Sequence, residues 1–164
     1  MAISDNELKP YYDQVYKPDD VSLIEIDFDS TQQIDPYRCI EILANTEQGL
    51  KADYLNYMIS EHGTVHPKKE DRLTYMEVAN FCYYIVWSFK NQKTEWFDKL
   101  FHRIEEILNN CDKETKDLLT VGFFEDLQGR CMDHDIDHYH GFDRWLRRKS
   151  KIQWDAVNNF WDGK

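Results

Sequence analysis

The sequence is poor in the residues that make tight turns, with only 6 Gly and 4 Pro among 164 residues. An all-β fold places turn residues at short, regular intervals, so this scarcity argues against a β-sandwich or a β-barrel. Long apolar runs are also missing, since the longest is FCYYIVW at residues 81–87. Seven residues are too few to cross a bilayer, so we expect no membrane-spanning helix.

Cysteine is scarce and scattered, with one residue each at positions 39, 82, 111 and 131. No two of them form a CxxC pair, and Cys82 and Cys111 fall on apolar helical stripes. The N-terminal sequence MAISDNELKPYYDQ has no basic start followed by an apolar segment, which argues against a secretory signal. These features predict a cytoplasmic protein with reduced thiols rather than a disulfide-stabilised secreted one.

Basic residues are outnumbered, with 20 Lys and Arg against 31 Asp and Glu, which gives a formal net charge of −11. A negative field of this size repels phosphates and anionic lipids, so we expect neither nucleic acid nor a membrane as a partner. The same field favours attraction to basic protein surfaces. Hydrophobic residues make up 41% of the chain, which is enough for one core in a single domain of 164 residues.

Apolar residues at helical spacing predict an all-α body over residues 35–164. Asp35 and Pro36 supply an N-cap and a first-turn proline, and Gly63 suits the end of the following helix. Asp112 is expected to cap a later helix that ends near Gly129.

The most apolar segment, residues 71–89, is expected to form the central helix. Its predicted buried stripe comprises Leu73, Met76, Ala79, Cys82, Tyr83, Val86 and Phe89. Further helices are predicted over residues 97–111 and at the C-terminus, and Phe142, Trp145 and Leu146 are expected to begin a short helix between them. The prediction is a compact bundle of about six to seven helices. Consecutive antiparallel pairs are compatible with stacked helical hairpins, although no sequence period supports that arrangement.

Residues 1–34 are irregular and acidic, and we expect them to form an extended arm. The first 40 residues hold nine Asp or Glu against three Lys or Arg. The stretch SLIEIDFD alternates apolar and acidic residues, which is the period of a β-strand. A lone strand would leave its backbone groups unpaired, so the favoured interpretation is an arm laid on the body by Ile24, Ile26 and Phe28.

The stretch CMDHDIDHYHGFD at residues 131–143 packs four Asp and three His into thirteen residues. His134 and His138 are four apart and would share one face of a helix, where Asp135, Asp137 and His140 could complete a metal shell. An HxxxH pair without a following acidic signature is a weak motif. The alternatives are an acidic contact surface and an ordinary solvated loop.

Motifs of known enzyme classes are missing: no GxSxG, P-loop, GxGxxG or HExxH occurs. We therefore expect a protein that is not an enzyme and needs no cofactor. The basic cluster RWLRRKSK at residues 144–151 could touch phosphate, but we expect the acids that precede it to neutralise it within the protein.

The segment at residues 104–128, IEEILNNCDKETKDLLTVGFFEDLQ, resembles a family of small bacterial all-α proteins. The family pattern is an amphipathic helix with Glu, a turn with Asp, and then a "vgflE.Lq" stretch. The matching residues here are Glu105, Asp112, Val121, Gly122, Phe123, Phe124, Glu125, Leu127 and Gln128. The C-terminal SKIQWDAVNNFWDG is similar to the ending of that family. Its members look like immunity proteins of polymorphic toxin systems, including contact-dependent growth inhibition.

This resemblance implies a cytoplasmic protein that binds and blocks one cognate toxin domain, for which a nuclease is expected. It supplies no catalytic residues. Because nucleases need positive surface to hold phosphates, an acidic partner could occupy that surface. The carboxylates predicted to face toxin Lys and Arg are Asp19, Asp20, Glu25, Asp27, Asp29, Asp133, Asp135 and Asp137. The alternative is a metal-dependent enzyme that uses the segment at residues 131–143.

Overall fold

The computed structural model of the protein describes residues 23–29 and 31–164, and these form a bundle of six helices without a β-strand. The helices are α1 (Pro36–Ala44), α2 (Gln48–His62), α3 (Thr74–Lys90), α4 (Phe97–Asn109), α5 (residues 113–133) and α6 (Arg148–Trp161). A short 3₁₀ turn, Lys69–Asp71, precedes α3. The all-α prediction is confirmed.

Helix α5 is continuous but changes its winding twice. It is α-helical over Lys113–Asp117, π-helical over Leu118–Glu125, and α-helical again over Asp126–Asp133. The π segment is buried on the side that carries Leu118, Leu119, Phe123 and Phe124. Eight residues of π-helix are unusual, because most π-helices are single turns.

Three helix ends follow the local chemistry that the sequence predicted. The Asp35 side chain accepts a hydrogen bond from the Arg38 N–H (2.8 Å), and Pro36 opens α1. The Asp112 side chain caps α5 in the same way, through the Thr115 N–H (2.8 Å). Gly63 ends α2 with φ 70°, a left-handed conformation that suits glycine.

Helix α3 lies at the centre of the bundle, where it packs against α1, α2 and α5. Its buried apolar residues are Val78, Phe81, Cys82, Tyr84, Ile85 and Val86. The predicted stripe is wrong at its beginning, because Leu73 is 64% and Met76 is 55% exposed. The inward position of the first turn belongs instead to Glu77, which is fully buried and accepts hydrogen bonds from Arg72 (2.7 and 3.2 Å).

An aromatic cluster joins α4 to the chain that precedes α6. The Phe97 ring stacks on Phe142 (centroids 5.9 Å apart) and meets Trp145 edge-on (4.9 Å). The prediction that a short helix begins at Phe142 is wrong, because residues 141–145 form turns and α6 begins at Arg148. Turns also bring residues three apart to one side, so buried Phe142 and Trp145 mimic a helical spacing.

The described part of the N-terminal arm, residues 23–29, is extended as predicted. Ile26 and Phe28 are half-buried against the core, whereas Ile24 is exposed. Ile34 then fixes the arm to the junction of α4 and α5. Its N–H donates to the Asn110 carbonyl (2.9 Å), and its carbonyl accepts from the Thr115 hydroxyl (2.9 Å).

All four cysteines are free thiols. Three are buried, Cys39, Cys82 and Cys131, and Cys111 is half-buried. Within the described residues, every helix is too short or too polar to cross a membrane.

Candidate partner-binding surface

The predicted contact carboxylates form two separate groups. Asp19 and Asp20 lie outside the described residues, and the other six are all exposed: Glu25, Asp27, Asp29, Asp133, Asp135 and Asp137. Asp27 lies near Asn110, just past the end of α4, while Phe142 packs on Phe97 at its beginning. A helix of 13 residues is about 20 Å long. The two acidic segments therefore do not form one continuous surface.

The arm presents its acids through simple alternation. Glu25, Asp27 and Asp29 point to solvent because Ile26 and Phe28, between them, face the core. The Asp27 side chain also accepts a hydrogen bond from the Asp29 N–H (2.9 Å). The arm thus exposes three carboxylates on its solvent-facing side.

The segment at residues 131–143 is fixed to the body rather than detached from it. Cys131, Ile136 and Phe142 are buried and anchor it at its beginning, middle and end. The His138 carbonyl accepts hydrogen bonds from the Trp154 indole N–H (3.0 Å) and from the Asn158 amide (3.1 Å). Both donors lie on α6, so the segment is held against that helix.

Asp133, Asp135 and Asp137 each have a different backbone setting. Asp133 ends α5, and Asp135 follows with φ 58°. The Ile136 N–H donates to the Cys131 carbonyl (2.9 Å), which closes the helix end as a Schellman motif with Asp135 in the left-handed position. Asp137 accepts hydrogen bonds from the N–H groups of Tyr139 (2.9 Å) and His140 (3.1 Å) and so builds the next turn.

This helix end corrects the prediction for Gly129. Glycine was expected to end the helix there, but α5 continues through Gly129 to Asp133. The left-handed residue after the helix is Asp135, and Asp is among the few non-glycine residues that adopt this conformation readily.

The histidines of this segment have separate neighbours. The centroids of the His138 and Tyr139 rings are 4.2 Å apart, and His140 Nδ1 pairs with Asp143 Oδ2 at 2.9 Å.

Burial raises the pKa of the Cys131 thiol to about 12, so it stays protonated at neutral pH. Among the residues that the structure describes, no three His, Cys, Asp or Glu side chains are grouped as metal ligands.

The basic cluster at residues 144–151 is partly neutralised within the protein, as predicted. Arg147 pairs with Asp98 (3.1 Å). Lys151 pairs with both Asp143 (3.0 Å) and Asp155 (2.9 Å). The Arg147 and Lys151 charges are therefore matched by local carboxylates.

A surface groove between α5 and the end of α6 was missed by the sequence reasoning. We call it the α5–α6 groove, and its volume is ≈ 410 Å³. Val121, Glu125, Gly129 and Asp133 line it at four-residue spacing along α5, and Trp161 contributes from α6. Four-residue spacing of this kind marks one face of a helix and could have revealed it. Val121 is 50% and Trp161 is 43% exposed.

The α5–α6 groove adjoins the acidic segment at residues 131–143. Asp133 belongs to both, and the Tyr139 hydroxyl donates to Asp162 Oδ1 (2.8 Å) just after Trp161. Asp126 and Arg130 complete the lining and form an ion pair with each other (2.6 Å). Exposed apolar side chains and carboxylates therefore occur side by side on this part of the surface.

A family model described as a domain of unknown function (DUF7674) matches residues 40–162. The chain belongs to the DUF7674 family. The matched span of this DUF7674 protein begins within α1 and runs through α6, and it includes both the segment at residues 131–143 and the α5–α6 groove. The arm lies before it. No curated protein and no solved structure matches the chain. The description of the family names no activity, so the resemblance to immunity proteins stays a prediction.

Proposed function

We propose that this DUF7674 protein is an immunity protein that binds and neutralises a cognate antibacterial toxin domain, expected to be a basic nuclease. The observation that carries the proposal is the segment at residues 131–143. It displays Asp133, Asp135 and Asp137 to solvent from a backbone that is pinned to α6 and to the core. A contact surface that is already ordered loses little entropy on binding.

The charge of the whole protein supports the same function. A formal charge of −11 attracts a basic partner over a distance and raises the association rate. A nuclease must expose Lys and Arg to hold phosphates, so its substrate-binding surface is a natural target for these carboxylates. The cytoplasm, where an antibacterial nuclease meets its substrate, is the proposed location.

The first test is survival. The toxin domain encoded beside this gene is expressed with and without this protein, and viable cells are counted. We expect toxicity that the protein relieves, together with co-purification of the two proteins at a fixed ratio. A toxic domain that is neither bound nor relieved would overturn the proposal.

The second test separates the two acidic segments with variants that remove the same charge. Asp133→Asn/Asp135→Asn neutralises the segment at residues 131–143 and keeps side chains that tolerate a left-handed backbone. Glu25→Gln/Asp29→Asn neutralises the arm. Asp27 and Asp137 are left intact because their carboxylates accept backbone hydrogen bonds.

A matched control removes two charges elsewhere, with Glu61→Gln/Glu70→Gln on exposed positions of α2 and the following loop. We expect the variant in the segment at residues 131–143 to slow toxin association at least threefold at low salt, with a smaller effect at high salt. An equal effect of all three variants would assign the attraction to net charge alone and remove this segment from the interface.

A further inference from the structure

We infer that the α5–α6 groove is the anchor site for the toxin, and that it takes an apolar toxin side chain flanked by Lys or Arg. This inference rests on the proposed function and deepens it by naming the surface and the chemistry of the contact. The observations that carry it are exposed apolar side chains, carboxylates that outnumber the basic side chains in the lining, and a glycine that leaves open space.

The apolar part of the groove is exposed to solvent. Val121 and Trp161 line it, and Phe160, whose ring centroid lies 5.8 Å from that of Trp161, is 67% exposed. Large apolar side chains grouped at the surface typically mark a protein-binding site. Tryptophan is among the residues that contribute most to the free energy of binding at interfaces.

The charges that surround the groove determine the kind of partner that fits it. Arg130 is neutralised by Asp126 (2.6 Å) and lies over the Tyr83 ring (3.9 Å). In the described part of the chain, Glu125 and Asp133 have no such ion pair. The lining thus holds three carboxylates against one guanidinium. A partner side chain that enters here meets apolar surface in the middle and negative charge at the edge, which is complementary to a basic segment with an apolar anchor.

Gly129 makes room for that anchor. It lies between Glu125 and Asp133 on the lining face of α5, and a Cβ at this position would meet nothing within 4 Å. Its backbone has no positive φ, so glycine is not required there by the fold. The missing side chain leaves the groove open.

The test fills the groove without disturbing the fold. Gly129→Leu places a side chain in open space and replaces glycine by a better helix former, so we expect an unchanged or higher melting temperature. We also expect the affinity for the toxin domain encoded beside this gene to fall at least tenfold, measured by calorimetry with a catalytically inactive toxin. Ser60→Leu, at an exposed position of α2, adds the same side chain elsewhere and should bind like the wild type.

A second variant removes the anchor contact instead of blocking it. Trp161→Ala deletes a half-exposed side chain in the last turn of α6, and we expect at least a tenfold loss of affinity with native helix content. If the wild type binds the toxin and both variants bind it with the affinity of the wild type, the groove is not the anchor site and the proposed function stands.

The remaining outcomes are also decisive. If the wild-type protein does not bind the toxin, the proposed function fails and this inference fails with it. If the wild type forms a dimer in sedimentation experiments and Gly129→Leu makes it monomeric, the groove binds a second copy of the chain, and the assignment to the toxin is overturned.

Discussion

The Tyr84 hydroxyl of α3 lies directly against Gly49 of α2, in the space that a Cβ at position 49 would occupy. Tyr84 is buried, and its hydroxyl donates a hydrogen bond to the Glu47 carboxylate (3.2 Å). The same carboxylate caps α2 by accepting from the Leu50 N–H (2.7 Å). The approach of α2 to α3 therefore depends on the absence of a side chain at position 49.

Gly49→Ala should destabilise the protein even though Ala favours helix. Overpacking against a buried, hydrogen-bonded hydroxyl typically lowers the free energy of unfolding by about 1–3 kcal/mol, more than the helix propensity of Ala returns. Urea denaturation measures the change. The double variant Gly49→Ala/Tyr84→Phe removes the hydroxyl and should recover part of the loss. If the loss of unfolding free energy in the double variant equals the sum of the losses in the two single variants, this contact is not the cause.

Asp53 should make the stability depend on pH. It is buried between α2 and α3, where the Asn80 amide donates to Oδ2 (2.8 Å), while Oδ1 has no partner among the described residues. Burial raises the pKa of its carboxyl to about 8, whereas an unfolded Asp titrates near 3.9. The contribution of neutral Asp53 to the free energy of unfolding is therefore complete below about pH 4. It is lost as the pH rises from about 4 to about 8, by up to roughly 1.4 kcal/mol per pH unit.

Asp53→Asn tests this sign, because the amide keeps the shape and cannot ionise. We expect the variant to be more stable than the wild type at pH 7.5, and the difference to shrink at pH 5. Free energies of unfolding at several pH values give the comparison. Asp133→Asn, at an exposed position, is the control and should run parallel to the wild type. A pH dependence that survives in Asp53→Asn would place its origin elsewhere.

Glu105 should stabilise the beginning of α6. Its two carboxylate oxygens accept hydrogen bonds from the N–H groups of Lys149 (2.7 Å) and Ser150 (3.0 Å). A carboxylate at a helix N-terminus satisfies unpaired donors and interacts favourably with the helix dipole. Glu105→Ala should lower the free energy of unfolding by about 1–2 kcal/mol. Glu106→Ala removes the neighbouring charge without a cap, and an equal loss in both variants would contradict the capping role.

Asp135 should tolerate only a few substitutions. Its φ of 58° lies in the left-handed region, where a residue with an ordinary Cβ is strained by about 1–2 kcal/mol. Asp135→Gly and Asp135→Asn should therefore both be more stable than Asp135→Val, which should lower the denaturation midpoint clearly. Equal midpoints for Gly and Val would show that the helix end does not require this conformation.

The sequence predicted those parts of the fold that depend on local chemistry. Asp35, Gly63 and Asp112 cap or end helices as expected, because a cap requires only a few neighbouring atoms. Helical spacing likewise identified α4, whose apolar residues Phe97, Leu100, Phe101, Ile104 and Ile107 are all buried. Both predictions need no knowledge of what packs against the helix.

The predictions from the sequence were wrong or incomplete where the burial of a side chain depends on residues far away in the chain. Leu73 and Met76 continue an apolar spacing, but Glu77 holds the inward position of that turn. Its carboxylate pairs with Arg72 and accepts a hydrogen bond from the Tyr54 hydroxyl (2.7 Å), which lies 23 residues away in the chain. The α5–α6 groove was missed because the exposure of Val121 and Trp161 depends on how the end of α6 is placed relative to α5. Apolar periodicity tells which residues share a face, and only the tertiary arrangement tells whether that face is covered.

The attachment of Ile34 has a consequence for the order of folding. Its carbonyl is bonded to Thr115, 81 residues further along the chain, and its N–H to Asn110. During synthesis the arm leaves the ribosome long before its docking site exists, and closing so long a loop is entropically unfavourable until other contacts hold its ends. Docking of the arm should then complete folding rather than begin it. Pulse-labelled hydrogen exchange should find the Ile34 amide protected after the amides of α4, and simultaneous protection would contradict this order.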